Sequence, residues 1–535
     1  MKPIYSLLWV AIVLLLGCRG CNPPEITGIT PGSGFARQIV NVQGSSLSFA
    51  SVVWDAGLSS ELLADHALLT ARYFQIPAGA ANGSHPVKLR NTGGTSTSSF
   101  NFTVSALSGT WPAPRIEEAT INYFNEKGGG KADLFLLLSV ANADAKAVVT
   151  VNGTDQTSVL YSAIASDYFN TRTASTFNYP VYHYGGLLVF LTDQTLGGTL
   201  NITVRNTDGL TSNTTYTLPA SAATLDSDND GLLDTWETNG YPAPSGDTID
   251  LAAMGCNPKR KDILVEVDWT AVGQPLNTIW GDIEAVFANA PVLNPDGSAG
   301  ISMHIDRGQG GAFNNGGQTL AAHTTMDFGP NPTAGYTDFF TYKNSNFDAD
   351  RLNVFHYCVF GRARPNGSSG RGEIWGNDFM VTFATFTNWN NRAAQVGTFI
   401  HELGHNLALR HGGIDNGAVD ANETFKPNQE STMNYRYQFP GISIDCDLTA
   451  DVPAVHSYSR GMLRSINENA VNENAGICNN TAIDFNSNGT LQNSVTVNTN
   501  PSTNDSDNTD IHINYDEWGN MRLDFTTAGS RWNNN

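Results

Sequence analysis

The stretch Phe399–His411 reads FIHELGHNLALRH and carries three of the chain's 11 histidines. Two of these, His401 and His405, are four residues apart, so on a helix they lie one turn from each other on one face. Both imidazoles can then bind one ion, and zinc is the ion that this spacing favours. Glu402 lies between them, where a carboxylate acts on water at the metal rather than binding the metal. An apolar stripe would bury another side of the helix, formed by Val396, Phe399, Ile400, Leu403 and Leu407.

A third histidine, His411, joins this site only if the helix ends before it, because a continuing helix would rotate it away from the other two. The stretch resembles the metzincin motif His-Glu-x-x-His-x-x-Gly-x-x-His, whose glycine lets the chain turn and return the third histidine to zinc. Ala408 occupies the glycine position here. A left-handed conformation at an alanine costs on the order of 1 kcal/mol relative to glycine.

A second short motif, Ser431–Tyr435 (STMNY), lies downstream. It resembles the Met-turn of the metzincins, a tight turn whose methionine packs beneath the zinc. A tyrosine two residues after that methionine recurs in astacin-like and serralysin-like members, where it binds zinc or stabilises the transition state. By position, the resemblance assigns these roles to Met433 and Tyr435. Ordinary core packing is the alternative for both.

Together these resemblances imply an exported zinc endopeptidase with an α+β zincin (metzincin-like) catalytic domain. They imply one zinc ion held by His401, His405 and His411, with Glu402 as the general base and Tyr435 as a hydrogen-bond donor to the developing oxyanion. Proteins or peptides are the implied substrates. Two satisfied histidines and a solvated glutamate on an ordinary helix are the alternative.

Residues 226–237, DSDNDGLLDTWE, match a 12-residue EF-hand-type loop with glycine at its sixth position. The predicted calcium ligands are the carboxylates of Asp226, Asp228, Asp230, Asp234 and Glu237 and the carbonyl oxygen of Leu232. The loop follows a strand-rich segment directly, so it is similar to the isolated calcium loops of exported bacterial proteins. We expect a structural calcium ion that braces a domain junction; an acidic linker with solvated carboxylates is the alternative.

The N-terminal end carries Lys2 and then an apolar run from Ile4 to Leu16. Such a run is too short for an ordinary membrane span and is typical of a signal peptide, residues 1–17. The four residues LLGC ending at Cys18 resemble the bacterial lipobox, which predicts a lipidated cysteine and a linker over residues 18–23. An ordinary signal peptide with Cys18 merely nearby is the alternative. We expect the protein at the cell envelope or outer surface, where a lipid on Cys18 anchors it to a membrane.

Two strand-rich segments follow, at residues 24–107 and 113–220. Short β-prone runs separated by Gly, Pro, Ser and Asn predict a β-sandwich for each. The first resembles an IPT/TIG immunoglobulin-like domain, and the second repeats its closing Arg-Asn-Thr-x-Gly turn, at 90–94 and again at 205–209. After the calcium loop, strands alternate with helical runs such as 278–290 and 393–409, which predicts an α+β domain over residues 238–535.

Composition narrows the function. The net charge of −21 and pI of about 4.8 argue against a nucleic-acid partner, since a phosphate backbone must be met by clustered Lys and Arg. Export makes disulfides plausible, and proximity favours Cys446 with Cys478 and Cys256 with Cys358, with buried thiols as the alternative. Beside the endopeptidase, two functions stay open: a surface adhesion or carbohydrate-binding lipoprotein with an inert C-terminal domain, and a zinc hydrolase acting on a non-peptide bond.

Overall fold

The computed structural model describes residues 22–30, 32–47, 50–55, 59–61, 63–64, 72–91, 93–106, 111–144, 146–164, 184–328, 337–383, 390–414, 419–478, 481–501, 507–525 and 533–534. The expected signal peptide and Cys18 lie outside these ranges. Among the described residues, no helix is both long and apolar enough to cross a bilayer.

The first segment folds into two small sheets. Its described strands are β1 (Glu25–Thr30), β2 (Ser33–Gly34), β3 (Ile39–Ser45), β4 (Ser51–Val53), β5 (Ser59–Glu61), β6 (Leu63–Ala64), β7 (Arg72–Gln75), β8 (Gly83–Asn91), β9 (Gly94–Thr95) and β10 (Phe100–Val104). One sheet has the order β1-β3-β7-β6 and the other β2-β10-β8-β4-β5, with β9 paired to β8. Alternate residues of β3 and β8, among them Val40, Val42, Val87 and Leu89, point into one shared core.

The second segment also folds into two sheets. Its strands are β11 (Arg115–Lys127), β12 (Lys131–Ala141), β13 (Val148–Val151), β14 (Thr154–Gln156), β15 (Ser158–Ile164), β16 (Tyr184–Thr195), β17 (Thr199–Arg205) and β18 (Thr211–Thr217). The orders are β11-β12-β16-β15 and β14-β13-β17-β18, all antiparallel. Arg37 of the first segment and Asp144 of the second form an ion pair at 2.9 Å.

A mixed sheet organises the C-terminal part. Its main strands are β21 (Asp262–Thr270), β22 (Ser302–Asp306), β26 (His356–Gly361), β27 (Gly370–Ile374) and β28 (Asp378–Thr382), in the order β22-β21-β26-β28-β27. Pairings up to β28 are parallel, and the edge strand β27 is antiparallel to β28. Both faces of β21 and β26 are covered, so that all but one of their residues are buried, three acidic residues of β21 included.

Five α-helices are described: α1 (Asp234–Asn239), α2 (Leu251–Met254), α3 (Trp280–Ala288), α4 (Phe339–Asn346) and α5 (Arg392–Asn406). Helices α3 and α5 pack on the sheet, where Trp280 and Phe379 both meet the ring of Phe399 edge to face. Asn391 caps the N-terminus of α5, since its side-chain oxygen accepts a hydrogen bond from the backbone amide of Ala394. This packing fixes the helix that carries His401 and His405.

The remaining described strands are short: β19 (Tyr241–Pro242), β20 (Thr248–Ile249), β23 (Thr319–Leu320), β24 (Met326–Asp327), β25 (Thr337–Asp338), β29 (Leu409–Arg410), β30 (Gly413–Ile414), β31 (Ile466–Asn467), β32 (Ile511–His512) and β33 (Asn533–Asn534). Cys446 and Cys478 form a disulfide. The second preferred pair does not form, since Cys256 and Cys358 are buried thiols.

The fold class expected for the C-terminal part, an α+β zincin domain, is corrected. The described chain is mostly β-sheet with few helices. The helical run expected at 278–290 gives only nine helical residues, and α1 and α2 have six and four. Asn-, Gly- and Ser-rich sequence beyond residue 415 favours turns and two-residue strands over helices.

Candidate metal centre

Helix α5 presents the two histidines that the four-residue spacing places on one face. The rings of His401 and His405 lie 4.9 Å apart, edge to face. Both side chains are buried. The helix ends at Asn406, whose side-chain amide donates to the carbonyls of Glu373 and Asp378. The end of the helix is therefore tied to strands β27 and β28, which holds both imidazoles in place.

The chain turns back directly after this helix. Ala408 has a φ of 67°, in the left-handed region, at the position where the motif would place glycine. The turn brings the ring of His411 to 4.9 Å from His405 and 5.2 Å from His401. One ring nitrogen of each histidine lies within 4.8 Å of the others. This set, His401, His405 and His411, is called the histidine cluster below.

Backbone carbonyls orient two of these rings. Nδ1 of His401 lies 3.0 Å from the carbonyl oxygen of Thr432, and Nδ1 of His405 lies 2.9 Å from that of Leu409. A carbonyl oxygen only accepts, so each Nδ1 carries the proton and donates it. Each Nε2 is then left with a free lone pair. An outer partner that fixes the tautomer in this way is the usual companion of a metal-binding imidazole.

The environment keeps the three imidazoles neutral. Burial lowers the pKa of His401 to about 4. Burial and the neighbouring imidazoles lower the pKa of His405 and His411 well below the usual value for histidine. Neutral imidazole is the form that binds a metal ion, so the cluster is ready to do so at neutral pH.

Glu402 lies beside the cluster and against the edge strand β27. A Cβ atom built on Gly370 would lie 2.4 Å from Oε1 of Glu402, so only glycine leaves room for this carboxylate. Burial raises the pKa of Glu402 to about 8, opposed by the nearby guanidinium groups of Arg364 and Arg371. Arg364 also donates to the carbonyl of Gly370 at 3.0 Å, which holds the strand against the carboxylate. Glu402 is thus poised between its charged and neutral forms.

Met433 packs under helix α5. It is fully buried, and its Sδ atom would lie 2.3 Å from a Cβ atom on Gly404. The hydroxyl of Tyr458 donates to the carbonyl of Ile400 on the same side. Met433 therefore fits against helix α5 only because residue 404 is glycine.

Tyr435 lies on the open side of the cluster. Its ring is 4.5 Å from His411 and 5.6 Å from His401, and the side chain is 40% exposed. Desolvation and the Glu402 carboxylate raise the pKa of Tyr435 to about 12, so its hydroxyl keeps its proton. A neutral phenol at this place can donate a hydrogen bond to a bound ligand.

The calcium-like loop gathers most of its predicted ligands. Oxygen atoms of Asp226, Asp228 and Asp230 lie within 4.8 Å of one another. Asp234 does not join them in this arrangement, because its carboxylate accepts hydrogen bonds from the backbone and hydroxyl of Ser227 at 2.7 Å each. Asp262, which sequence reasoning missed, joins instead.

The residues that sequence reasoning missed come from distant strands. Asp262 begins β21, while Gly370 and Arg371 lie on β27. No local spacing connects them to the motifs, because strand pairing brings them there from many residues away. The sequence does not single out Asp262, since β21 carries two further acidic residues, Glu266 and Asp268.

No family model matches this sequence, and no curated protein matches it. Among the solved structures that are similar to part of the chain are the following two. A gamma-CGTASE from alkalophilic Bacillus clarkii has 13% identity and a TM-score of 0.14, over 37% of this chain and 26% of that one. The Bacteroides ovatus mixed-linkage glucan utilization locus protein SGBP-B, in complex with a mixed-linkage heptasaccharide, has 12% identity and a TM-score of 0.15, over 37% and 46%. The chain thus spans less than half the length of either, and such scores do not define its fold.

These comparisons correct the family expected from the sequence. Neither structure is described as a metzincin or a peptidase, and neither the metzincin nor the IPT/TIG family is shown for this chain. The activity of a zinc endopeptidase is corrected with it. Short motifs such as residues 401–411 and 431–435 report local geometry, which is not enough to assign a family.

Proposed function

We propose that the histidine cluster binds one zinc ion and that the chain is a metal-dependent hydrolase acting on a carbonyl-containing bond other than a backbone peptide bond. The observation that supports this most strongly is the convergence of three neutral imidazoles beside one buried carboxylate. Two of the three are already oriented by carbonyl oxygens through Nδ1.

The three histidines of the cluster fit the ligand preference of zinc and leave one of its coordination positions open. Three nitrogen ligands with one position left over is the pattern of catalytic zinc sites, whereas structural sites close all four positions. Glu402 is not among the residues whose ligand atoms converge, although it directly follows His401 on helix α5. It is therefore available to handle a proton.

Each residue has a distinct task in this proposal. Zinc, when bound, lowers the pKa of a coordinated water to about 7 and polarises a carbonyl group. Glu402 accepts a proton from the attacking water and passes it to the leaving group. Its raised pKa makes the ionised carboxylate a stronger base for that transfer. Tyr435, which stays protonated, donates a hydrogen bond to the oxygen that gains negative charge. Arg364 and Arg371 favour the charged form of Glu402, against the larger effect of burial.

The experiment compares Glu402→Gln with the wild type, using zinc-loaded full-length protein on p-nitrophenyl acetate and on acetylated oligosaccharides. We expect chelator-sensitive hydrolysis by the wild type and a loss of at least about 100-fold in Glu402→Gln with zinc content retained. Glu284→Gln, an exposed glutamate on α3, is the matched control. Equal rates for Glu402→Gln and wild type contradict the role of Glu402, and no hydrolysis by the zinc-loaded wild type contradicts the hydrolase.

A second candidate function, carbohydrate binding, is favoured by a row of aromatic rings on the second sandwich. Tyr123, Phe135 and Phe190 are directly opposite one another on β11, β12 and β16. Their ring centroids are 5.8 and 4.8 Å apart, and Phe190 is 46% exposed. Exposed aromatic faces offer apolar area with specific geometry, which suits the flat faces of sugar rings.

Affinity electrophoresis against soluble polysaccharides, including mixed-linkage glucan, tests this second candidate. Retardation of the wild type that is lost in Phe190→Ala supports it. Leu210→Ala removes another exposed apolar side chain of the same sandwich and should not alter migration. Retardation that persists unchanged in Phe190→Ala contradicts it.

Export and lipidation at Cys18 remain part of the proposal. They are supported by the apolar run of residues 4–16 and the LLGC sequence. Metabolic labelling with a fatty acid should mark the wild type and not Cys18→Ser, and labelling of both would contradict it.

A further inference from the structure

We propose that Asp262 of strand β21 completes a calcium site with Asp226, Asp228, Asp230 and Glu237, so that the ion clamps the loop after the second sandwich onto the sheet that supports the histidine cluster. The five carboxylates are called the acidic cluster below. This inference is independent of the proposed hydrolase.

The geometry joins two groups of carboxylates through one shared residue. Oxygens of Asp226, Asp228 and Asp230 lie within 4.8 Å of one another, and so do oxygens of Asp230, Glu237 and Asp262. Asp230 belongs to both groups, so the five side chains surround one region. The carboxylates of the loop and that of Asp262 on strand β21 therefore lie close together.

Burial makes this arrangement unfavourable for ionised carboxylates that lack a cation. Asp228, Asp230, Glu237 and Asp262 are all less than 5% exposed. Both carboxylate oxygens of Asp228 and both of Glu237 lack a hydrogen-bond partner in the described structure. Buried carboxylates that lack partners are strongly unfavourable, and a bound cation is the usual remedy.

The electrostatics agree with the geometry. The carboxylates lie close enough to repel one another when ionised, and a cation between them would offset that repulsion. Two lysines are nearby, but their hydrogen bonds go elsewhere. The Nζ of Lys259 donates to Ser227 Oγ and the carbonyl of Ile121, and that of Lys261 donates to Glu118 and the backbone carbonyl of Asp228. The lysines therefore tie the loop to β11, and neither hydrogen-bonds a carboxylate of the acidic cluster.

The loop is already shaped for an ion. The Asp226 carboxylate accepts hydrogen bonds from the backbone amides of Asn229, Asp230 and Gly231. Gly231 has a φ of 93°, which a turn of this kind requires. An all-oxygen set with several carboxylates suits calcium, which accepts six to eight oxygens, better than magnesium, which keeps most of its waters.

Asp262 connects the calcium-like loop to the main sheet. Its backbone amide donates to Oδ2 of Asp230 at 2.7 Å, so strand and loop are in direct contact. Its carboxylate accepts from the amide of Asn257 and lies 2.6 Å from Nε2 of His304. The ion would therefore fix the start of β21, the strand that pairs with β22 and β26 in the main sheet.

The experiment uses full-length protein freed of bound ions with a chelator and dialysed, then titrated with calcium chloride by calorimetry and thermal unfolding. We expect calcium to bind and to raise the Tm of the wild type by several degrees, and magnesium at the same concentration to raise it less. We expect Asp262→Asn and Glu237→Gln to weaken calcium binding at least tenfold. Asp247→Asn, an exposed carboxylate nearby, should bind like the wild type.

The outcomes distinguish the existence of the calcium site, the role of Asp262 in it and the choice of ion. No calcium binding and no Tm shift in the wild type would overturn the site. Wild-type affinity in Asp262→Asn with weakened binding in Glu237→Gln would overturn the role of Asp262 alone. Glu237→Gln breaks no described hydrogen bond, so it remains informative even where Asp262→Asn fails to fold. An equal response to magnesium would overturn the choice of calcium.

Discussion

The ring of His411 lies 4.9 Å from the ring of His405, although the helix that carries His405 ends one residue later. The left-handed backbone of Ala408 makes this approach possible. An alanine in that conformation is strained by on the order of 1 kcal/mol relative to glycine. The third histidine is therefore held at a measurable energetic cost.

Replacing Ala408 by glycine should relieve this strain. We expect Ala408→Gly to raise the free energy of unfolding by up to about 1 kcal/mol, since part of the gain is offset by the larger entropy of unfolded glycine. Ala408→Val should lower it and reduce zinc content, because β-branched residues avoid positive φ. Urea denaturation measures both. The control, Ala252→Gly in helix α2, should be destabilised by about 0.5–1 kcal/mol. A lower free energy of unfolding for Ala408→Gly than for the wild type would show that residue 408 is not strained.

The contact between Gly404 and Met433 makes a second prediction. Gly404→Ala should lower the free energy of unfolding by about 1–3 kcal/mol, because its methyl group would overlap the Met433 sulfur. Met433→Ala should lower it by about 2–5 kcal/mol through the cavity it leaves. The double variant should lose less than the sum, since the added methyl enters the vacated space.

A matched control separates this contact from helix propensity. Gly281 lies in helix α3 with nothing within 4 Å of a built Cβ atom, so Gly281→Ala should be neutral or stabilising by up to about 1 kcal/mol. Strictly additive losses in the double variant would show that the two side chains do not share the space.

His456 should make stability depend on acid. Burial lowers its pKa from 6.5 to about 4. A depressed pKa means that the unfolded chain takes up the proton first, so this contribution to stability is present above pH 6.5 and is lost as the pH falls toward 4. Relative to His456→Gln, the wild type should lose on the order of 2 kcal/mol between pH 7.5 and pH 4.5. Denaturant melts at both pH values measure it, and parallel losses in the two proteins would contradict it.

The disulfide should contribute a large share of the stability of the C-terminal part. Cys446 and Cys478 are separated by 32 residues, and closing a loop of that size stabilises by about 3–4 kcal/mol in the chain-entropy model. We expect Cys446→Ser with Cys478→Ser to lower the Tm, and dithiothreitol to lower the Tm of the wild type only. An equal effect of dithiothreitol on both proteins would show that the bridge does not stabilise the fold.

The sequence predicts the parts of the site that depend on local periodicity. Helix α5 and the shared face of His401 and His405 follow from apolar spacing and the four-residue interval. His411 can approach the other two histidines only if residue 408 adopts a left-handed conformation, and the structure shows that conformation. In the strand-rich half, alternating apolar residues locate the inward faces of β3 and β8.

Contacts between distant residues could not be predicted in this way. Asp262 enters the acidic cluster from a strand 25 residues beyond Glu237, and Gly370 shapes the space around Glu402 from an edge strand. Neither contact has a local signature. The family assignment failed for a related reason, since short motifs fix the geometry of a few side chains and leave the rest of the chain unspecified.

The metal content of the purified full-length protein, loaded with zinc and dialysed, tests the histidine cluster most directly. Inductively coupled plasma mass spectrometry should find about one zinc ion per chain in the wild type. It should find less than about a tenth of that in a His401→Gln, His405→Gln, His411→Gln triple variant, because replacing three ligands removes most of the affinity. His323→Gln, an exposed histidine, should match the wild type. A triple variant that keeps the wild-type zinc content would contradict the metal centre.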